Sequence, residues 1–191
     1  MNKLESLEFL RKHGFNVARY VRWNIDLNAE IISQIFCPNT IGIRTWKYRG
    51  TMGSPCLYGM ECPKEVYARA KEFGLQGWNV IIQETIPKEW SLIAGNVMVN
   101  HPDTRSGLFE YHTEKEIVRA VDTLNPKDVS RYQYRDYSNI KQEDLCDVAT
   151  EASDISIMLN RAVIVEFSVQ DRRCGILDER IVFWEVRDAG Q

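Results

Sequence analysis

The sequence predicts an α+β protein with mainly antiparallel sheets, and three observations lead to it. The last quarter holds two apolar runs, Ala162-Val-Ile-Val-Glu-Phe-Ser-Val169 and Ile181-Val-Phe-Trp-Glu-Val-Arg187, spaced to pair as a hairpin turning near Gly175. Further strand-length runs stand among single helical patterns, which favours hairpin-paired strands with flanking helices over a regular βαβ series. The 191 residues suffice for one domain with a sizeable core, here expected as two lobes at about 1–82 and 83–191.

Taken in order, Leu4, Leu7 and Leu10 share one face ahead of Gly14, which predicts an amphipathic helix closed by a glycine. Phe15 to Trp23 reads as extended chain and Ile41-Gly-Ile-Arg44 as a short strand. Pro63 to Phe73 predicts a helix: proline suits the first turn, Val66, Ala70 and Phe73 line one side, and Gly74 is the expected stop. Asn79-Val-Ile-Ile-Gln83 and Leu92 to Val99 read as strands joined through Pro87-Lys-Glu. Thr113-x-x-Glu116 has the capping-box pattern and opens a helix expected to reach Leu124. Leu145, Val148, Ala149, Ala152, Ile155 and Leu159 mark a longer helix before the final hairpin.

The net charge of -3 and pI near 5.7 argue against a general nucleic-acid binder, which normally needs a basic face. Charge is uneven, however. Residues 1–50 carry eight basic side chains against four acidic ones, a balance of +4, while residues 141–154 carry five acidic against one basic, a balance of -4. Such asymmetry suits an anion bound with a metal, and equally an ordinary patchy surface. Five cysteines, Cys37, Cys56, Cys62, Cys146 and Cys174, form no C-x-x-C pair, so reduced thiols in a cytoplasmic protein are expected. No apolar stretch approaches the ~20 residues that span a bilayer, and the N-terminus lacks a signal-peptide core. His13, His101 and His112 are scattered and offer no ligand spacing.

The chemistry is concentrated in the final hairpin. A turn near Gly175 sets Glu166 opposite Glu185, and like charges directly opposite each other destabilise a sheet. A cation between them removes that objection, and Mg2+ held by carboxylates against nucleotide phosphates is one solution, with Arg187 on the same face as a phosphate partner. The alternative is a different register in which Arg187 neutralises Glu166 and the hairpin is structural. A second region, Ile43 to Pro55, follows a strand with the cations Arg44, Lys47 and Arg49, two glycines and several hydroxyls. Such a loop can wrap a polyphosphate, because glycine lets backbone N–H groups approach the oxygens. It contains neither G-x-x-x-x-G-K-[ST] nor G-x-G-x-x-G, so a plain surface loop fits it as well.

In chain order these pieces resemble the ATP-grasp nucleotide-binding domain of pyruvate phosphate dikinase and phosphoenolpyruvate synthase. Lys3 stands before Gly14-Phe-Asn-Val17 as a family lysine stands before a Gly-Leu-Pro-Val turn. Ile43-Arg44-Thr45 and Thr51-Met52-Gly53-Ser54-Pro55 are similar to a Val-Arg-Ser strand end and its following loop, and Val80-Ile-Ile-Gln83-Glu84 resembles the hinge strand. Ile164-Val-Glu166-Phe167 and Trp184-Glu185-Val-Arg187 match the carboxylate strands, although Ile164 replaces one family carboxylate and Glu185 a glutamine.

The resemblance implies an ATP-grasp-like fold that binds ATP and Mg2+. It puts Arg44 and Arg187 on the phosphates as catalytic residues, with Lys3, Lys47, Thr51, Gly53 and Ser54 as further nucleotide contacts. The Gln83-Glu84-Thr85 backbone meets the adenine edge, and Glu166 and Glu185 hold the metal. The chain has no length for a phosphohistidine domain or a pyruvate-binding barrel, so phosphoryl transfer would go to a separate acceptor protein or small molecule. Two other readings stand beside it: a nucleotide-binding or interaction module without turnover, presenting some of Trp23, Trp46, Trp78, Trp90 and Trp184 to a partner, and an ATP-dependent carboxylate ligase. No membrane or nucleic-acid partner is expected, and the sequence does not specify an oligomeric state.

Overall fold

A computed structural model describes residues 1–47, 54–86, 90–113, 128–171 and 180–190. The chain divides into two compact units: Asn2–Glu5 with Ala18–Pro87, and Met1 with Ser6–Val17 and Lys88–Gln191. The turn near Gly175, the helix expected from Thr113 to Leu124, the Pro87-Lys-Glu connection, and Thr51 and Gly53 fall wholly or mainly outside the described residues.

The first unit is built on β1 (Tyr20–Arg22), β2 (Ile41–Trp46), β3 (Cys56–Met60) and β4 (Asn79–Glu84), in the antiparallel order β1-β4-β2-β3. Ile41, Ile43, Val80 and Ile82 share one face of this sheet with Ile32 and Phe36 of α2 (Ala29–Phe36) and Val66 and Ala70 of α3 (Pro63–Leu75), forming one apolar cluster. Asn28 caps α2 by accepting from the Ile31 N–H, the usual way an orphan helix N–H is satisfied. Helix α3 does not stop at Gly74, as its sequence suggests; it runs on to Leu75, and the chain turns at Gly77, whose φ is +80°. Gly74 answers to packing instead, since a Cβ there would lie 2.3 Å from the Trp23 ring.

The second unit contains α1 from Ser6 onward, the helix as a whole spanning Lys3–Lys12, and five strands. These are β5 (Ser91–Val99), β6 (Gly107–His112), β7 (Ser130–Tyr134), β8 (Val163–Gln170) and β9 (Ile181–Asp188), antiparallel throughout in the order β7-β6-β5-β8-β9. Val97, Val99, Phe109, Val163, Val165, Phe167, Phe183 and Val186 form the core with Leu145, Val148, Ala149, Ala152 and Ile155 of α4 (Glu143–Leu159). That helix ends at Asn160 in the left-handed conformation, a position that asparagine tolerates better than most residues. Core packing claims one face of the sheet, so strand alternation sends the intervening polar side chains to the other.

Candidate functional site

The pairing of β8 with β9 sets Glu166 opposite Glu185, Val165 opposite Val186 and Ile164 opposite Arg187. This is the register that the hairpin spacing implies, and Arg187 is therefore not the direct cross-strand partner of Glu166. Beyond Glu166 the register slips by one residue at a β-bulge, and Trp184 is the extra residue. Its indole N–H donates to Ser168 Oγ at 2.8 Å, which ties the bulge to β8.

The carboxylate pair belongs to a row that crosses the sheet. Asn96 of β5 is the register partner of Glu166 on one side and of Glu110 on the other, and Glu110 is in turn opposite Arg131 of β7. Arg131 donates to Glu110 at 2.8 Å, which accounts for that carboxylate. Asn96 is only 6% exposed, and its Oδ1 has no hydrogen-bond partner among the described residues. Glu166 and Glu185 are half-buried. Two carboxylates facing each other beside a buried amide oxygen form an all-oxygen donor set, the kind that hard cations such as Mg2+ take. Among the described residues no three His, Cys, Asp or Glu side chains are grouped closely enough to hold a metal by themselves.

In the first unit, Arg44 on β2 and Gln83 on β4 share the sheet face opposite the helices: Gly42 is the partner of Gln83, and Arg44 of Ile81. Both side chains are buried, and Gln83 Nε2 has no partner among the described residues. Gly42 lets Thr85 pack closely over the sheet here, since a Cβ there would lie 2.7 Å from Thr85 Cγ2. The Lys3 ammonium joins the β2 to β3 connection, donating to Thr45 O at 3.2 Å and Ser54 Oγ at 3.4 Å and lying 3.9 Å from Cys56 Sγ. Lys47 lies apart from that group, with Nζ 4.6 Å from the Trp78 ring centroid.

The end of β4 is held by a polar clamp. Glu84 N–H donates to Arg19 O at 2.8 Å and Thr85 N–H to Thr40 O at 2.9 Å, so both backbone donors are committed within the unit. The Glu84 carboxylate accepts from Arg19 Nε at 2.9 Å and from Asn39 Nδ2. That hydrogen bond to Glu84 raises the Arg19 pKa against the opposing effect of desolvation. Sequence reasoning missed this clamp because Arg19, Asn39 and Glu84 are far apart in the chain. It also missed Asn96, whose only signal was a single amide in the apolar run from Leu92 to Val99.

No protein-family model and no curated protein matches the sequence. Solved structures do. The chain is similar to D-alanine–D-alanine ligase from Bacillus anthracis complexed with ATP, with a TM-score of 0.59 and 14% identity over 98% of this chain and 54% of that one. It is similar to the ATP-grasp ligase PsnB complexed with a minimal precursor, with a TM-score of 0.55 and 14% identity over 97% and 51%. The fold is ATP-grasp-like. N5-carboxyaminoimidazole synthase from Aspergillus clavatus, in complex with ADP and 5-aminoimidazole ribonucleotide, shares this ATP-grasp architecture at a TM-score of 0.56 and 14% identity over 97% and 43%. The chain thus spans about half the length of these ATP-grasp structures. No helix among the described residues is long and apolar enough to cross a membrane.

Proposed function

We propose that this chain binds ATP with Mg2+ and uses it to activate a carboxylate for condensation, as an ATP-dependent ligase. The observation that carries the reading is the Glu166–Glu185 pairing on the polar face of a sheet with ATP-grasp architecture. Glu166 and Glu185 would hold the metal, which supplies charge stabilisation to a transferring phosphoryl group. Arg187, two residues beyond Glu185 and on the same face, places a guanidinium for phosphate oxygens. In the first unit, Arg44 contributes further positive charge, as do Lys3 and Lys47, while Ser54 adds a hydroxyl beside Lys3. The clamp around Glu84 fixes the Gln83 to Thr85 segment, where the Thr85 carbonyl accepts from Thr40 Oγ1 and the buried Gln83 amide is the group offered to an adenine edge. Thr51 and Gly53 complete the proposed nucleotide set. The residues act by positioning and charge, and the acceptor supplies the nucleophile.

A second reading, phosphoryl transfer of the dikinase or synthase type, draws on the ordered set of Lys3, Arg44, Gln83, Glu166 and Arg187. The acceptor separates the two. Calorimetry with a non-hydrolysable ATP analogue is expected to show binding that weakens without Mg2+, and Glu166→Gln or Glu185→Gln to blunt that Mg2+ dependence. ADP and inorganic phosphate released only with a carboxylate and an amine present supports the ligase. Turnover with a non-carboxylate acceptor supports the phosphotransferase, and intact binding without turnover leaves a nucleotide-binding module. No binding at millimolar nucleotide sinks all three nucleotide readings and leaves a protein-interaction module.

A further inference from the structure

We propose that Cys56 and Lys3 form an oxidant-responsive modification site, in which a peroxide closes a reversible S–N bond between the thiol sulfur and the amine and so removes the Lys3 charge. The chemistry rests on their contact alone; its effect on ATP rests on the nucleotide reading above.

Both residues belong to the first unit. Lys3 Nζ lies 3.9 Å from Cys56 Sγ and is held there by two further contacts, to Thr45 O at 3.2 Å and Ser54 Oγ at 3.4 Å. An ammonium has three N–H donors, so Thr45, Ser54 and the sulfur account for all of them. Cys56 is also the register partner of Arg44, and directly opposed residues share a sheet face, which places a second cationic side chain on the thiol's side of the sheet. Reactive thiols sit in such electropositive, partly exposed surroundings, and Cys56 is half-buried. Other cysteine contacts differ: Cys37 Sγ meets Ser33 Oγ and Cys146 Sγ meets Tyr137 O, each at 3.4 Å, so neither contact offers a nitrogen to an oxidised sulfur.

Hydrogen peroxide gives one oxygen atom to the thiol: its O–O bond breaks, Cys56 becomes a sulfenic acid and water leaves. The Lys3 nitrogen, its extra proton released to solvent, then attacks the sulfur with its lone pair. An S–N bond forms, the S–O bond breaks, and the hydroxyl leaves as a second water with a proton from the nitrogen. The thiol has lost two electrons and the peroxide has gained them. Sulfenic acids condense with thiols or with nitrogen, and an amine already anchored beside the sulfur reacts ahead of nucleophiles that must diffuse in. An added thiol reverses the step by attacking the sulfur, which returns the amine and, after exchange with a second thiol, Cys56. The sulfenamide nitrogen carries no charge, so the closed form offers a phosphate one cation fewer.

The test exposes the full chain to hydrogen peroxide, digests it without reductant and reads the peptides by mass spectrometry, with affinity for a non-hydrolysable ATP analogue and Mg2+ measured on the intact protein before and after. A linked pair of peptides holding Lys3 and Cys56 is expected, lighter by two hydrogens than the sum of its parts and separated by dithiothreitol. Affinity for the analogue should fall about tenfold or more, as loss of one charge-assisted phosphate contact implies, and return with the reductant. Cys56→Ser keeps an acceptor for Lys3 and should bind the analogue equally well before and after peroxide. Lys3→Arg should leave the sulfenic acid open to capture by dimedone, with much less capture at Cys56 in the wild type. A wild-type chain without the linked peptide overturns the proposal, as does a Cys56→Ser protein that loses affinity under peroxide as fully as the wild type. If that variant does not fold, equal dimedone capture at Cys56 in the wild type and Lys3→Arg overturns it instead. An untreated chain that binds no nucleotide removes the nucleotide reading, and the linked peptide still decides the chemistry of the pair.

Discussion

Glu84 and Glu166 are both carboxylates on strands, and their surroundings give them different work. The Glu84 side chain is 1% exposed and meets Arg19 and Asn39, so its charge is compensated inside the unit. Glu84→Gln weakens the Arg19 contact and turns an acceptor into a donor facing the Asn39 amide. A loss of about 1–3 kcal/mol is expected, because hydrogen bonds to charged groups exceed neutral ones and the half-exposed Arg19 is partly screened. Urea unfolding measures it, and unchanged stability would show the clamp to be ornamental. Tyr134 provides a residue-scale pH test. Burial pushes its phenol pKa well above the ordinary value near 10. The sign follows from linkage: a group whose folded pKa is raised contributes stability that is complete below the unfolded pKa and is lost as pH rises toward the folded value. Stability should therefore decline above about pH 10, and Tyr134→Phe should reduce that decline, read from melts at pH 8 to 11.

At the scale of elements, the legible parts were those whose pattern is local and strong. The apolar runs of Val163–Gln170 and Ile181–Asp188 revealed the hairpin but left two registers open, and the strand pairing decides for Glu166 opposite Glu185, which keeps Val165 and Val186 together in the core. The bulge at Trp184 was silent, since one extra residue on one strand leaves no mark in either sequence alone. Helix α2 sets Ile32 and Phe36 on one face but has only eight residues, too few turns for the pattern to stand out, and β7 is exposed along nearly its whole length. Gly74 misled in the opposite direction: a residue that usually ends helices is there for Trp23. Of the candidate site, charged residues on strong strands were readable. Asn96 was not, because its significance lies in an unmet hydrogen bond that only the pairing of β5 with β8 exposes. Gly95, beside it, tests how tightly that strand is held. A Cβ at Gly95 would lie 2.2 Å from Glu110 O and 2.6 Å from Tyr111 Cα, both backbone atoms that cannot swing aside. Gly95→Ala should cost about 1–3 kcal/mol or more by forcing β5 and β6 apart, and a wild-type melting temperature would show that the pair yields freely.

For the whole molecule, fold and function must be argued separately. Structures sharing this architecture at 11% to 15% identity include a D-alanine–D-alanine ligase and a macrocyclase bound with a precursor peptide, so the fold narrows the chemistry without choosing it. The chain also spans about half of those structures, which makes nucleotide binding the property most directly open to test. A ligand that binds only the folded chain stabilises it by mass action, by about 2.7 kcal/mol at one hundred times its dissociation constant. ATP with Mg2+ should therefore raise the melting temperature in a concentration-dependent way. ATP with a chelator should do so less, because triphosphate beside Glu166 and Glu185 without a cation sets negative charge against negative charge. Glu166→Gln and Glu185→Gln should narrow the gap between the two conditions from the carboxylate side, by relieving that repulsion while weakening the cation. A gap of equal size in wild type and both variants would mean that Mg2+ acts only by shielding ATP in solution, and the hairpin carboxylates would lose their assigned role even if the nucleotide itself bound.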